Sequence, residues 1–373
     1  MPDPIASIET YQLKGQGEQG AYGAPYGFVV KVTTVSGVVG FGETDSMPSV
    51  VDAVIRAPYM NEMMSGLAHA LAGIDATDPP RAWDRMATAT LLFGRDGIAR
   101  HAMAAIDIAL WDIKGKAASR PVHDLIGGAK RDRLRAYAAH PLGSSLGETA
   151  DCARRLVEQG FSGVKFGWHP LGADAATDEA IVRTLRDAIG ERVDLLIDCG
   201  MAWDVDTALA RAQRFVPYDL FWLEEPLAAY DVDAYARLVH AIETPVAAGE
   251  MASSYSELAL LLEARAVDIL QVDVSRTGLT EAMRVAALAE RIGIPCVNHT
   301  YSYLINAAAS AHFAAAVHAT SLFECQATPN EIRDALDQGQ MKPKAGWVKV
   351  PTAPGLGIEV DEKALEYFAR NEK

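Results

Sequence analysis

The chain of 373 residues is poor in cysteine, in aromatics and in positive charge, and no long apolar run interrupts it. Its four cysteines (Cys152, Cys199, Cys296 and Cys325) stand far apart, without the paired spacing of a zinc site or the density of a disulfide framework. A reducing compartment suits them. Lysine and arginine number 34 against 49 acidic residues, a net charge of −15. A nucleic-acid partner calls for a basic face, so none is expected. No hydrophobic stretch approaches the ~20 residues that cross a bilayer, so no membrane span is expected either. The opening MPDPIASIET has neither the basic start nor the apolar core of an export signal, which makes the cytoplasm the expected location. Half of the residues are hydrophobic and 22% are charged, an ordinary globular composition, and the length suits a barrel with an accessory domain.

What the chain does have is a recurrence. Lys165, Asp198, Glu224, Glu250, Asp273, His299 and Glu324 follow one another at gaps of 33, 26, 26, 23, 26 and 25 residues. Each closes or sits in a short apolar run: GVK, DLLID, LFWLE, PVAAGE, DILQVD, IPCVNH and SLFE. Such a period is that of a β-strand, a helix and a return loop. It brings one polar group to the C-terminal end of strand after strand, where (β/α)₈ barrels place their catalytic groups.

The sequence predicts strands over residues 136–140, 163–167, 194–198, 220–224, 245–250, 268–273, 294–299 and 321–325, with helical stretches between them. Ahead of these, residues 5–13, 28–35 and 38–43 read as strands, the last two joined by a turn at Ser36 and Gly37. A helix is expected over 99–117, where Met103, Ile106, Leu110 and Ile113 form one apolar face. The expectation is an α/β protein, a (β/α)₇β-type TIM barrel with an N-terminal α+β capping domain. The boundaries are 1–128 for the cap, 129–341 for the barrel, and 342–373 for a tail that packs back on the cap.

Asp198, Glu224 and Glu250 end three consecutive strands and so converge. Three close carboxylates repel one another, and a divalent cation relieves that; all-oxygen ligation points to a hard ion such as Mg²⁺. A single strand-end acid is more simply a helix cap, but three in succession at one depth favour metal. Glu225 competes for the middle place, and strand alternation sends it to the other face.

The ordered set VKFG, LLIDCG, WLEEPL, AAGE, QVDVSRTG, NHT and FECQ resembles the enolase superfamily, in particular its mandelate racemase subgroup. The stretch AIDIALWDIKGKAASRPVHDLIGG resembles the same family's capping domain. The resemblance implies abstraction of a proton α to a carboxylate, with a bound cation stabilising the dianion that forms. It places Lys165 as the cation beside the substrate carboxylate and Glu324 as a carboxyl hydrogen-bonded to it, which requires Glu324 protonated. It makes His299 the base and Asp273 the partner that fixes its tautomer. A homo-oligomer is also implied.

Strand two departs from the pattern. Racemases of the subgroup carry Lys-x-Lys there, the second lysine being the opposing base, whereas this chain reads Lys165-Phe166-Gly167. One-base chemistry remains: His299 removes the α-proton and returns it to a departing β-hydroxyl. That is dehydration, and it suits an acid sugar, an aldonate or aldarate, yielding a 2-keto-3-deoxy acid. His169, Tyr22 or Tyr26 are the candidates to replace the missing lysine or to touch substrate, in which case the enzyme is a racemase or epimerase. Gly200 stands where many relatives have Asn. A non-catalytic ligand-binding barrel is the remaining alternative.

Overall fold

The computed structural model describes residues 2–15, 26–318 and 322–370. Three antiparallel strands come first, β1 (Ile5–Lys14), β2 (Tyr26–Thr34) and β3 (Val39–Thr44), in that order. The predicted turn forms, with Gly37 at φ 88° and its N–H donating to Thr34 O at 3.0 Å. The predicted helix runs Ile98–Ala117. It lies so close on β3 that a Cβ at Gly42 would stand 1.7 Å from Ala105 O, and one at Gly40 2.1 Å from Ala109 O. Glycine on the strand is what lets the two backbones meet.

The barrel follows as β4 (Arg133–Pro141), β5 (Gly163–Gly167), β6 (Asp194–Asp198), β7 (Leu220–Glu224), β8 (Val246–Ala248), β9 (Ile269–Val272), β10 (Cys296–Asn298) and β11 (Leu322–Gln326). All neighbours are parallel, in the order β10-β9-β8-β7-β6-β5-β4-β11. A helix crosses between each successive pair, beginning with Leu146–Glu158 and ending with Leu304–Ala316, which gives the (β/α)₇β order. Ser145, Asp174, Asp204, Asp231, Ser254 and Asp273 cap six of these helices by accepting from first-turn N–H groups. Across the seam between β10 and β11, Thr300 N–H donates to Glu324 Oε2 at 2.8 Å.

Three strands are shorter than the sequence suggests. Residues 245–250, 268–273 and 294–299 form only β8, β9 and β10, so Glu250, Asp273 and His299 lie just beyond the ladder. Gly249 at φ 124° ends β8, and Asp273 leaves β9 to cap the next helix. Inside the barrel, Tyr137, Leu196, Trp222, Ala247, Val297 and Leu322 pack as an apolar plug below the polar strand ends. Tyr137 meets Trp222 edge-on at 5.5 Å between ring centroids, a geometry that contributes about 0.5–1.5 kcal/mol beyond area burial.

Cap and barrel are joined by polar contacts at buried positions. Thr280 of the barrel donates to both oxygens of Asp107, at 2.6 and 2.9 Å, and accepts from Trp111 Nε1 at 2.9 Å. Glu43, at the end of β3, accepts from the N–H groups of Tyr303, Ile305 and Asn306 at 2.7, 3.0 and 3.1 Å. A cap carboxylate thus seats the barrel helix Leu304–Ala316. The tail touches both units: β12 (Trp347–Lys349) adds antiparallel to β4, and the helix Glu362–Ala369 packs on β1. Stacking of Arg133 4.5 Å over the Trp347 ring accompanies the β4 contact, which the sequence reading did not foresee. Among the described residues no helix is long and apolar enough to cross a membrane.

Candidate active site

Strand alternation places Lys165 inside the barrel, and its side chain is buried. Its ammonium makes a short contact with Glu224 Oε1 and lies 2.6 Å from Glu324 Oε1 and 3.8 Å from Asp198 Oδ2. Burial alone would lower its pKa, but Glu224 and Glu324 outweigh burial and hold it well above the ordinary lysine value. Glu224 is pushed well up by burial, against the pull of Lys165 and with Asp198 and Glu250 adding to the rise. Its other oxygen accepts from Trp222 Nε1 at 2.8 Å. Glu250 is pushed up to about 7 by burial, partly offset by His299. Its Oε2 stands 3.3 Å from His299 Nε2 and accepts no hydrogen bond from a described residue.

Asp198 pairs in register with Glu224 across β6 and β7. Its Oδ1 accepts from Gly200 N at 3.0 Å and its Oδ2 from Trp168 Nε1 at 3.1 Å. Among the described residues no three His, Cys, Asp or Glu side chains surround one point as they would around an ion. The pairing explains this: Lys165 draws Glu224, Trp168 holds Asp198, and His299 faces Glu250. The donors still fit a hard cation in chemistry. They are buried carboxylates; burial and mutual charge raise Glu224 and Glu250, and Glu250 keeps one oxygen without a hydrogen bond.

His299 Nδ1 stands 2.7 Å from Asp273 Oδ2, while Asp273 Oδ1 accepts from Ser275 N at 2.7 Å. Asp273 is therefore helix cap and imidazole partner at once. Burial pushes its pKa up, yet the hydrogen bond and charge of His299 bring it down to about 2. His299 rises to about 10: burial opposes the rise, and Glu250, Glu324 and Asp273 together overcome it. Glu324 moves opposite to the protonated state expected for it. Burial raises it, but Lys165 and His299 prevail and keep it below its usual value, hence ionised.

Position 167 is closed by the backbone. A Cβ there would lie 2.0 Å from Asp198 O and 2.6 Å from Asp198 Cβ, so no side chain can leave β5 at this point without displacing β6. His169 is exposed, and Tyr26 is 51% exposed with its carbonyl accepting from Tyr303 OH at 2.5 Å. Neither lines the cavity that Lys165, Asp198, Glu250 and His299 share. Tyr22 lies outside the described residues. At Gly200, the space a side chain would fill holds the Trp168 indole, 3.2 Å from the Cβ position.

The cavity holds about 210 Å³, and its walls include Asp45, His140, Arg276 and Tyr301, which the sequence reading passed over. Arg276 belongs to the quoted QVDVSRTG stretch, three residues beyond Asp273, and that spacing was the available signal. Asp45 follows β3 at once and comes from the cap. It accepts from Arg276 Nη2 at 2.8 Å, and Arg276 Nη1 donates to Glu250 O at 2.6 Å.

Known proteins match this chain over most of its length. The family described as the mandelate racemase / muconate lactonizing enzyme N-terminal domain matches residues 14–127, and the family described as enolase C-terminal domain-like matches residues 148–364. An arabinonate dehydratase of Saccharolobus solfataricus is 29% identical over 91% of this chain and 89% of its own. A D-galactarolactone cycloisomerase of Agrobacterium fabrum is 31% identical over 91% and 90%. The crystal structure of the 3,6-anhydro-D-galactonate cycloisomerase from Zobellia galactanivorans superposes with a TM-score of 0.89, at 29% identity over 98% of this chain and 99% of that one. With both domain families matched in order over a capped barrel, the chain belongs to the enolase superfamily, in its mandelate racemase subgroup.

Proposed function

We propose that this protein dehydrates an acid sugar to its 2-keto-3-deoxy acid by one-base chemistry at His299. The observation that carries the reading is the asymmetry of the site: a histidine seated on Asp273 on one side, and a Gly167 whose side-chain direction is closed on the other. A two-base racemase needs a second base at that place, where this chain has glycine, and His169 is exposed.

Asp198, Glu224 and Glu250 would hold Mg²⁺, whose charge would stabilise the enediolate formed when the α-proton leaves. A cation there would compensate those carboxylates, which would leave Lys165 for the substrate carboxylate and His299 to act as the neutral imidazole. Asp273 accepts from Nδ1–H, so the Nε2 lone pair takes the α-proton. The electron pair held in the enediolate then forms the C2–C3 double bond as the C3–O bond breaks. The imidazolium gives its proton to the departing hydroxyl, water leaves, and the enol becomes the 2-keto acid. Glu324, ionised beside Lys165, orients that ammonium.

A second reading keeps the base and changes the leaving group. Two of the relatives named above are cycloisomerases. Expulsion of a ring oxygen in place of hydroxide would give a product of unchanged mass. A panel of acid sugars and their lactones, assayed with Mg²⁺ and read by mass spectrometry, separates the two: loss of one water supports dehydration, unchanged mass supports ring opening. Exchange of the α-proton with solvent, without either outcome on any substrate, would make the enzyme an isomerase. Chelation by EDTA should abolish turnover and added Mg²⁺ restore it. Full activity after metal removal proven by elemental analysis would overturn the metal assignment.

A further inference from the structure

We propose that the acid this site takes carries one carboxylate and a neutral far end, an aldonate and not an aldarate. The inference rests on the dehydratase reading and adds the substrate class. It comes from an account of the positive charge in the cavity. Among the described residues, its basic lining groups are Lys165, His299, Arg276 and His140. Lys165 sits among the strand-end carboxylates and meets the reacting carboxylate; His299 is the base. A second carboxylate would have only Arg276 and His140 to turn to.

Arg276 is already committed. Its Nε and Nη2 donate to the two oxygens of Asp45 at 3.4 and 2.8 Å, and its Nη1 donates to Glu250 O. Asp45 lines the cavity beside it, so an incoming carboxylate would meet a neutral pair with its acid exposed to the same space. His140 is only part-buried, but its Nδ1 faces Pro141 O at 2.7 Å, an acceptor, so Nδ1 carries the hydrogen and Nε2 is left with a lone pair. Burial lowers its pKa, outweighing the opposite pull of the Pro141 hydrogen bond, and favours the neutral ring. Such a ring accepts from a hydroxyl and repels a carboxylate. The lining residues that carry no charge are Ala139, Pro141, Gly167, Trp168 and Tyr301. Of the residues outside the described set, 16–25 and 319–321 contain no lysine, arginine or histidine, and Lys373 at the C-terminal end is the single basic one. A second carboxylate would be desolvated without a compensating charge, which is strongly unfavourable.

The test uses matched six-carbon pairs that differ only at C6: gluconate against glucarate, galactonate against galactarate, mannonate against mannarate. Each is assayed with the Mg²⁺-loaded enzyme for 2-keto-3-deoxy product and for α-proton exchange. At least one aldonate should exceed its aldarate partner at least 100-fold in kcat/KM. An aldarate equal to or better than its partner overturns the inference and leaves the dehydratase reading standing. Should no acid react or exchange, that reading fails, and calorimetric binding of the same pairs decides the charge preference, tighter aldarate binding overturning it. Asp45→Asn supplies an independent arm by releasing Arg276. The aldarate-to-aldonate ratio should rise at least 10-fold, whatever the overall loss of activity. A ratio that does not move shows that the Asp45–Arg276 pair does not set the preference.

Discussion

Asp273 shows how one side chain answers two demands, with one oxygen on its own helix and the other on His299. His299→Asn should lower kcat by at least the ~10²–10⁴-fold typical of a general base and abolish α-proton exchange in D₂O. Asp273→Asn, which keeps an imidazole but disturbs its tautomer, should lose less; wild-type exchange in His299→Asn would show the base misassigned. At Gly167 even one methyl is too much. Gly167→Ala should destabilise the fold by about 1–3 kcal/mol, the usual range for overpacking, seen as a lower Tm by calorimetry. At this scale the seven recurring polar residues stand out in the sequence because an apolar run marks each of them locally. Glu324's ionisation was not, since it depends on a lysine brought close only by barrel closure. Asp45 escaped for the same reason, its partner Arg276 lying 231 residues away in sequence.

Among elements, the helix Leu304–Ala316 follows His299 closely and begins with no side-chain cap of its own. Glu43 supplies the acceptor from another domain. Glu43→Gln offers one good acceptor to three N–H groups and should cost about 1–3 kcal/mol, the range for leaving a buried donor without a partner. Urea unfolding measures this, and an unchanged midpoint would mean that the helix start does not need the carboxylate. Strand positions were readable from period and composition, because a buried parallel strand is a short apolar run between turn signals. Strand ends were not, because Gly249 and the capping role of Asp273 cut the ladder one or two residues early.

Across the whole molecule, His312 ties three segments together. Its Nδ1 accepts from His123 N at 3.2 Å and its Nε2 donates to Leu356 O at 3.1 Å, a pattern that only the neutral ring can make. Burial takes its pKa from 6.5 down to about 3. Between these values the unfolded chain binds a proton that the folded one refuses, so this contribution is whole above 6.5 and is lost as pH falls towards 3. The slope is about 1.4 kcal/mol per pH unit. His312→Gln should flatten the fall in Tm between pH 6 and pH 4; an unchanged slope would place the acid sensitivity elsewhere. The strand–helix alternation suggested two units and a tail, but nothing local in the sequence marks how the tail sits on both. The seat that Glu43 gives the helix after His299 bears on any attempt to exchange caps between relatives. A transplanted cap that lacks an acid at the end of its third strand would arrive with its loops intact and leave the helix that follows the base unanchored. In such a hybrid, new specificity and lost turnover would come from the same cut.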